Sequence, residues 1–156
     1  MTKPTWRIPD ASLDAVLSNY CQDLTAVAPQ NRKAISPEFE EEIQEVLCSL
    51  SRKDTRSICF TGEAGSGKST MISCVAQYIA EGKNLPPSLQ GTRVLQLNLN
   101  AMCAGAQILG QFEERMKPLV DGLQERQGIF KGNRIVLASD DVSLLFNADN
   151  FSAAAK

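Results

Sequence analysis

An eight-residue segment, Gly62 to Ser69, constrains the fold of this chain more than any other feature. It matches the pattern G-x-x-x-x-G-K-[ST], in which small residues let successive backbone N–H groups converge on phosphate oxygens. The pattern requires a strand before it and a helix after it, because the helix N-terminus directs its dipole at the same anion. We therefore predict a P-loop, with binding residues Gly62, Glu63, Ala64, Gly65, Ser66, Gly67, Lys68, Ser69 and Thr70.

The chemistry predicted for this loop is the binding of a nucleoside triphosphate together with a metal ion. Lys68 would reach the β- and γ-phosphates of ATP, which also makes it a catalytic candidate, and Ser69 would ligate Mg²⁺. The alternative is a glycine-rich turn whose lysine is only a surface charge. The residues do not distinguish ATP from GTP.

The sequence on both sides of the loop supplies the context that the pattern needs. The apolar run from Ile58 to Thr61 predicts a buried parallel strand that leads into the loop. Apolar residues at helical spacing predict a helix from Lys68 to Ala80, with Gly82 as its C-cap.

Hydrophobic spacing predicts five further elements. They are helices over residues 12–27, 37–50 and 112–123, and strands over residues 95–99 and 135–138. Ser36 is the predicted N-cap of the second of these helices, with Pro37 at its first position. Pro118 removes a hydrogen bond inside the third helix and costs about 3 kcal/mol unless that helix kinks. The alternation of strands and helices implies an α/β fold with an open parallel sheet, whose ligands bind at the carboxyl ends of the strands.

Two aspartates follow the last predicted strand, at the edge of the sheet where the glycine loop lies. Asp140 occupies the position of a Walker B aspartate that holds Mg²⁺, and Asp141 would orient the attacking water. Both are catalytic candidates, and Ser69 and Asp140 are the predicted metal ligands. Acidic residues after a strand also commonly cap the next helix or turn, so the position alone leaves that alternative open.

Composition argues against several classes of function. A net charge of -2 provides no overall positive field, so no nucleic-acid partner is expected. No run approaches the roughly 20 apolar residues of a spanning helix and no signal segment is recognisable, so we expect a cytoplasmic protein without a membrane partner. The five cysteines are read as reduced core thiols, and the absence of histidine argues against zinc and against Ser-His or Cys-His nucleophile pairs.

Four segments together resemble the first nucleotide-binding module of Clp-type AAA+ unfoldases and disaggregases. They are LSNYCQDLTAVA (17–28), GEAGSGKST (62–70), YIAEGKNLPPSL (78–89) and LQLNLNAMCAGAQILGQFEER (95–115). The resemblance implies a P-loop NTPase (AAA+) fold with three αβα layers, and an ATPase that remodels protein partners within a homo-oligomeric ring. It also supports Asp140 as the Walker B aspartate. Residues 1–34 are then an N-terminal helix and linker, and residues 35–156 the N-terminal part of the AAA+ domain.

Two departures from the family pattern, one in the pore loop and one after the last strand, bear on activity. The family's pore loop carries an aromatic residue flanked by basic residues, and it binds an unfolded polypeptide. The corresponding positions in this chain are Gln107, Ile108 and Leu109. Asp141 stands where the family has its catalytic glutamate. An aspartate side chain is one methylene shorter than a glutamate side chain, so its carboxylate reaches about 1.5 Å less far. Because a misplacement of about 1 Å can cost about a hundredfold in rate, slow hydrolysis is expected.

The length after Asp141 is also short for the family, since only 15 residues follow it. We therefore expect a fold that is incomplete at its C-terminus, either as a fragment of a longer protein or as a naturally truncated relative. In the family the sensor strand lies between the strands that correspond to residues 58–61 and 135–138. Without it these two segments are not expected to be neighbours unless the sheet rearranges.

Two functions are consistent with these residues. One is ATP hydrolysis coupled to remodelling of protein partners. The other is a nucleotide-binding interaction module with little or no hydrolysis. A small-molecule kinase with the same loop is a third, although it would leave the Clp-like segments without an explanation.

Overall fold

The computed structural model describes residues 16–54, 57–104, 109–129, 134–140 and 142–143. Its strands are β1 (Cys21–Asp23), β2 (Arg93–Leu97) and β3 (Ile135–Ala138). Its helices are α1 (Leu24–Val27), α2 (Pro37–Leu50), α3 (Lys68–Glu81), α4 (Leu99–Cys103) and α5 (Leu109–Ile129). Residues 16–20 are also helical, and Pro87–Leu89 forms a 3₁₀ turn.

The sheet described by these residues has three strands in the order β1-β2-β3. β2 and β3 are parallel, with Leu95 opposite Leu137, as the order of elements predicts. β1 is antiparallel to β2, with Cys21 opposite Leu97. The α/β fold is therefore confirmed, but this sheet is mixed and not wholly parallel.

Helices cover both faces of the sheet, because successive side chains of a strand point to opposite faces. Val94 of β2 belongs to an apolar cluster that includes Ile43 and Leu47 of α2 and much of α3. Leu97 of β2 belongs to a second cluster, with Leu119 of α5 and residues of α4. The central strand thus lies between two helical layers, and α3 carries the glycine loop on the first of these faces.

The two helices flanking the loop segment begin and end as their sequences predict. The hydroxyl of Ser36 accepts a hydrogen bond from the Phe39 amide at 3.3 Å, and Pro37 is the first residue of α2. Gly82 ends α3 in the left-handed conformation at φ 67°, and its N–H donates to the Tyr78 carbonyl at 3.0 Å. Local capping chemistry fixes both helices.

The predicted continuous helix over residues 12–27 is wrong at its centre. Residues 12–15 lie outside the described residues. Residues 16–20 are helical, but the next three form β1 and pair with the edge of β2. The helical path resumes as α1, where the Asp23 carboxylate accepts a hydrogen bond from the Ala26 amide. Pairing satisfies backbone groups along an otherwise open edge of β2, an effect that helical spacing cannot show.

The strand predicted at residues 58–61 is also not formed, since the chain there has no regular structure. Ile58 is 37% exposed and Cys59 is exposed, whereas Phe60 is partly buried against the α2–α3 cluster. A strand needs a neighbour for its N–H and C=O groups, and no strand in the described ranges lies beside this segment. This agrees with the expectation that residues 58–61 and β3 are not neighbours.

Two other elements, β2 and α5, have bounds that differ from the sequence prediction. β2 ends at Leu97, because the Asn98 side chain accepts a hydrogen bond from the Ala101 amide at 3.0 Å and begins α4. α5 is longer than predicted and contains Pro118. The side chain of the next residue, Leu119, is fully buried, which contributes to holding the helix in place.

The prediction that the five cysteines are reduced thiols in the core is only partly right. All five are free, but Cys48 and Cys59 are exposed and only Cys74 is buried. Burial raises the pKa of the Cys74 thiol, and the charge of Lys33 offsets only part of that rise. Because the pKa is raised overall, the thiol stays protonated. None of the helices in the described ranges is both long and apolar enough to cross a membrane.

Candidate functional site

The glycine loop is exposed and its backbone is shaped for an anion. Gly65 and Gly67 have φ values of 81° and 93°, in the left-handed region that glycine adopts without steric cost. Gly67 is the N-cap of α3 and offers no side-chain cap, so the first amides of α3 are open to a ligand. At Gly62 an added Cβ would lie 2.7 Å from the Ser66 hydroxyl, so a side chain there would displace that hydroxyl.

Lys68 lies across this loop. Its ammonium donates hydrogen bonds to the carbonyls of Gly62 and Glu63, each at 2.7 Å, and to the Ser66 hydroxyl at 3.3 Å. The positive charge is thus held within the glycine loop. A phosphate bound in the loop would lie close to this ammonium. The ammonium could then replace its hydrogen bonds to the carbonyls with hydrogen bonds to phosphate oxygens.

Ser69 and Asp140 lie together although 71 positions separate them in the sequence. The Ser69 hydroxyl, in the first turn of α3, donates to one carboxylate oxygen of Asp140 at 2.9 Å. Asp140 follows β3, so the contact joins the N-terminus of α3 to the carboxyl end of β3. Both side chains are exposed. The structure therefore brings together the two residues that the sequence predicts as metal ligands.

Gln96 also belongs to this group, and sequence reasoning missed it. Its side-chain amide donates a short hydrogen bond to the second carboxylate oxygen of Asp140. The alternation Leu95, Gln96, Leu97 shows which face of β2 the glutamine occupies, but it does not show that Asp140 lies on that face. The parallel register, which places Gln96 opposite Ala138, supplies that information.

The donor set at this point fits Mg²⁺. A serine hydroxyl and a carboxylate are hard oxygen ligands, and Mg²⁺ in nucleotide sites takes only one or two carboxylates and completes its shell with phosphates and water. Among the described residues no cluster of three or more Cys, Asp or Glu side chains is arranged to hold a metal. The protein's share of such a shell would be Ser69 and Asp140, with the lysine and the amides left for the phosphates.

An open cavity of about 440 Å³ lies beside Asp140, at the carboxyl ends of β2 and β3. Its lining includes Gln96, Asn98, Ser139 and Asp140. Ligands of α/β sheets bind at this end of the strands. The residues that line this cavity include none of the glycine loop, so the cavity adjoins the proposed metal site at Asp140 and is not itself the phosphate site.

Other predicted site residues are placed less fully. Asp141 lies outside the described residues, as do Gln107 and Ile108, so their predicted roles stay predictions. Thr70 is exposed in the first turn of α3, one position beyond Ser69. Arg115 of α5 donates to the carbonyls of Met102 and Ala104, at 2.6 and 2.8 Å, and so fixes the chain where it leaves α4.

Comparisons with known proteins give the same assignment as the resemblance noted in the sequence. No family model matches the chain. Curated relatives include the chaperone protein ClpB of Staphylococcus aureus, 33% identical over 146 residues, and ClpB of Gloeobacter violaceus, 31% identical over the same number. Each alignment covers 94% of this chain, and the chain spans 16% of the length of each relative.

Solved structures of Saccharomyces cerevisiae Hsp104 are similar in fold. An extended Hsp104–casein complex has a TM-score of 0.70 at 35% identity and covers 89% of this chain and 23% of that one. An Hsp104–ADP complex has a TM-score of 0.68 at 36% identity and covers 89% and 20%. Over most of its length, therefore, this chain is homologous to the Clp-type AAA+ chaperones ClpB and Hsp104 and shares their AAA+ P-loop fold.

Proposed function

We propose that this chain is a Clp-like AAA+ module that binds ATP with Mg²⁺ and hydrolyses it slowly to remodel protein partners. The observation that carries the proposal is the 2.9 Å contact between Ser69 and Asp140. It joins the two kinds of side chain that P-loop ATPases use to hold the metal, the hydroxyl at the start of the helix and the aspartate after the strand. Homology to ClpB and Hsp104 supports an ATPase of the chaperone type.

Each residue has a defined role in this proposal. The amides of residues 62–70 and the helix N-terminus bind the phosphates, and Lys68 exchanges its carbonyl contacts for phosphate oxygens. Ser69 and Asp140 hold Mg²⁺, which when bound neutralises charge on the phosphate oxygens. Asp141 orients the attacking water.

The partners in this proposal are proteins and further copies of the same chain. One Hsp104 structure contains casein, and another contains a nucleotide analogue together with labelled casein, which supports a protein substrate for this homologue as well. A neighbouring subunit in a homo-oligomeric ring would supply an arginine finger, typically worth about 10³–10⁵ in rate. We therefore expect negligible turnover by the isolated chain. Nucleic acids and membranes are not among the proposed partners, and a cytoplasmic location stays a prediction.

The substitution Lys68→Ala tests the nucleotide site. Hydrogen bonds to a charged group contribute about 1.5–3 kcal/mol each, so losing the ammonium should weaken ATP binding at least about tenfold. Isothermal titration of ATP with Mg²⁺ measures the loss. Lys83→Ala is the matched control, because Lys83 is exposed just beyond the other end of α3. Equal affinities for all three proteins would refute the site.

A second candidate function is an interaction module that binds nucleotide but hardly hydrolyses it. Asp141 favours this candidate, because its carboxylate is one methylene shorter than the glutamate of the family pattern. Asp141→Glu distinguishes the two functions in an assay of phosphate release by the assembled oligomer, in which a neighbouring subunit can supply the arginine finger. An enzyme limited only by the position of that carboxylate should speed up, by up to about a hundredfold for a correction of about 1 Å. A module that lacks the rest of the machinery should not respond.

A further inference from the structure

We infer that Gln96 sets the metal preference of the proposed nucleotide site, by leaving Asp140 with one carboxylate oxygen for the metal. The inference rests on the proposed function. It starts from the hydrogen bond that the Gln96 side-chain amide donates to Asp140.

The position of Gln96 makes this contact a built-in feature of the sheet. Gln96 lies two residues after Val94 on β2, so both side chains point to the face that α3 covers. It is paired with Ala138, and Asp140 lies two residues beyond that partner at the end of β3. Gln96 is half-buried, so less water competes for its amide than for an exposed side chain.

The two oxygens of Asp140 therefore have different surroundings. One accepts from the Ser69 hydroxyl at 2.9 Å and faces the first turn of α3. The other accepts from Gln96. A carboxylate oxygen engaged by an amide donor is a poorer metal ligand. The Ser69 hydroxyl differs from that amide because it is itself a proposed metal ligand, so a bound metal would replace its contact with Asp140. Asp140 therefore acts through one oxygen, either directly or through a water.

This distinction separates the two common hard divalent cations. Mg²⁺ has near-octahedral geometry, keeps several waters, and is satisfied by single oxygens of one or two carboxylates. Ca²⁺ takes about six to eight oxygens and commonly uses both oxygens of a carboxylate. By occupying the second oxygen, Gln96 disfavours Ca²⁺ more than Mg²⁺.

The test compares ATP affinities measured by isothermal titration with Mg²⁺, with Ca²⁺ and with EDTA. The variant Gln96→Met keeps the length of the side chain and removes the donor. The matched control is Gln22→Met, because Gln22 lies directly opposite Gln96 on β1 and is exposed. Since a hydrogen bond to a charged group is worth about tenfold in an equilibrium, Gln96→Met should move the Ca²⁺-to-Mg²⁺ affinity ratio about tenfold toward Ca²⁺. Its affinity in EDTA should stay within about twofold of wild type, since EDTA removes the metal from the comparison.

A second variant, Gln96→Glu, covers the outcome in which the methionine variant does not fold, as judged by thermal unfolding without nucleotide. It removes the donor and adds a carboxylate beside the metal, so its ratio should move in the same direction. Unchanged ratios in the folded variants, or an equal change in Gln22→Met, would overturn the role of Gln96 and leave the nucleotide site intact. Wild-type protein that bound no ATP under any of the three conditions would overturn both proposals.

Discussion

The same substitution at the two ends of α3 separates the stability of the helix from the function proposed for its N-terminus. Gly67 and Gly82 are both left-handed, with φ values of 93° and 67°. An added Cβ meets nothing within 4 Å at Gly67, and at Gly82 its nearest neighbour is the Gln90 side-chain oxygen at an ordinary 3.7 Å. Substitution by alanine therefore costs backbone energy alone at both positions.

The magnitude follows from the backbone angles. An L-residue in the left-handed region costs about 1–2 kcal/mol, and the preferred φ there is about +57°. Gly67 is further from that value, so Gly67→Ala should lie at the upper end of the range and Gly82→Ala at the lower end. A change of 1 kcal/mol lowers Tm by about 2–4 °C in a chain of this size. Both variants should show a modest decrease in thermal unfolding.

ATP binding should distinguish the two variants. A new φ at Gly67 rotates the amides at the start of α3, and losing one hydrogen bond to a phosphate weakens binding about tenfold or more. Gly82 is at the opposite end of the helix, so its variant should bind ATP like wild type. Titration of both folded variants with ATP and Mg²⁺ measures this. Affinities reduced equally, or not at all, would refute the assignment of the helix N-terminus as the phosphate site.

Three further predictions concern parts of the fold that support the site. Leu47 of α2 is fully buried, so Leu47→Ala should lower the free energy of unfolding by about 2–5 kcal/mol in urea titration; a loss below 1 kcal/mol would contradict its place in the core. The buried Gln77 side chain bonds both the amide and the carbonyl of Lys33, so Gln77→Leu should cost about 1–3 kcal/mol and speed hydrogen exchange at the Lys33 amide, whereas unchanged exchange would rule out this link. Burial raises the pKa of Asp23, but hydrogen bonds from Thr25 and Arg93 outweigh it and hold that pKa below 3.8. Asp23→Ala should therefore cost about 1 kcal/mol at neutral pH, and the difference from wild type should shrink as pH falls below about 4; a difference independent of pH would contradict this.

Local signals in the sequence predicted the helices around the site well. The cap at Ser36, the proline after it and the glycine at 82 act through neighbouring residues, so their effect can be read without a fold. The helix that follows the loop was predicted for the same reason, whereas the strand expected before the loop is not formed, and the binding role of the loop stays a prediction. Its glycines, lysine and serine form one continuous segment between an apolar run and a helix.

Pairing between distant segments could not be predicted in this way. Cys21–Asp23 has helical spacing but pairs with β2, and the run at residues 58–61 has strand composition but no neighbouring strand. Composition indicates that a segment could be a strand, whereas formation depends on a partner for its backbone groups.

The division of the chain at residue 34 stays a prediction.

The same distinction between local signals and contacts of distant segments applies to the candidate site. Ser69 and Asp140 were predicted separately from their motifs, and the structure places them in contact. Gln96 belongs to no motif, and its role depends on the register of β2 against β3. The one available signal was a polar residue between the buried Leu95 and Leu97 of a strand, and that signal did not identify Asp140, which lies 44 positions away, as its partner.

The central claim is that the backbone amides of the glycine loop receive the phosphates of ATP. Amide NMR of the ¹⁵N-labelled chain during titration with ATP and Mg²⁺ tests it directly. The account predicts that the largest shifts occur at the amides of residues 62–70, and that they disappear in Lys68→Ala but persist in Lys83→Ala. ATP-dependent shifts concentrated elsewhere, with the loop amides unmoved, would contradict it.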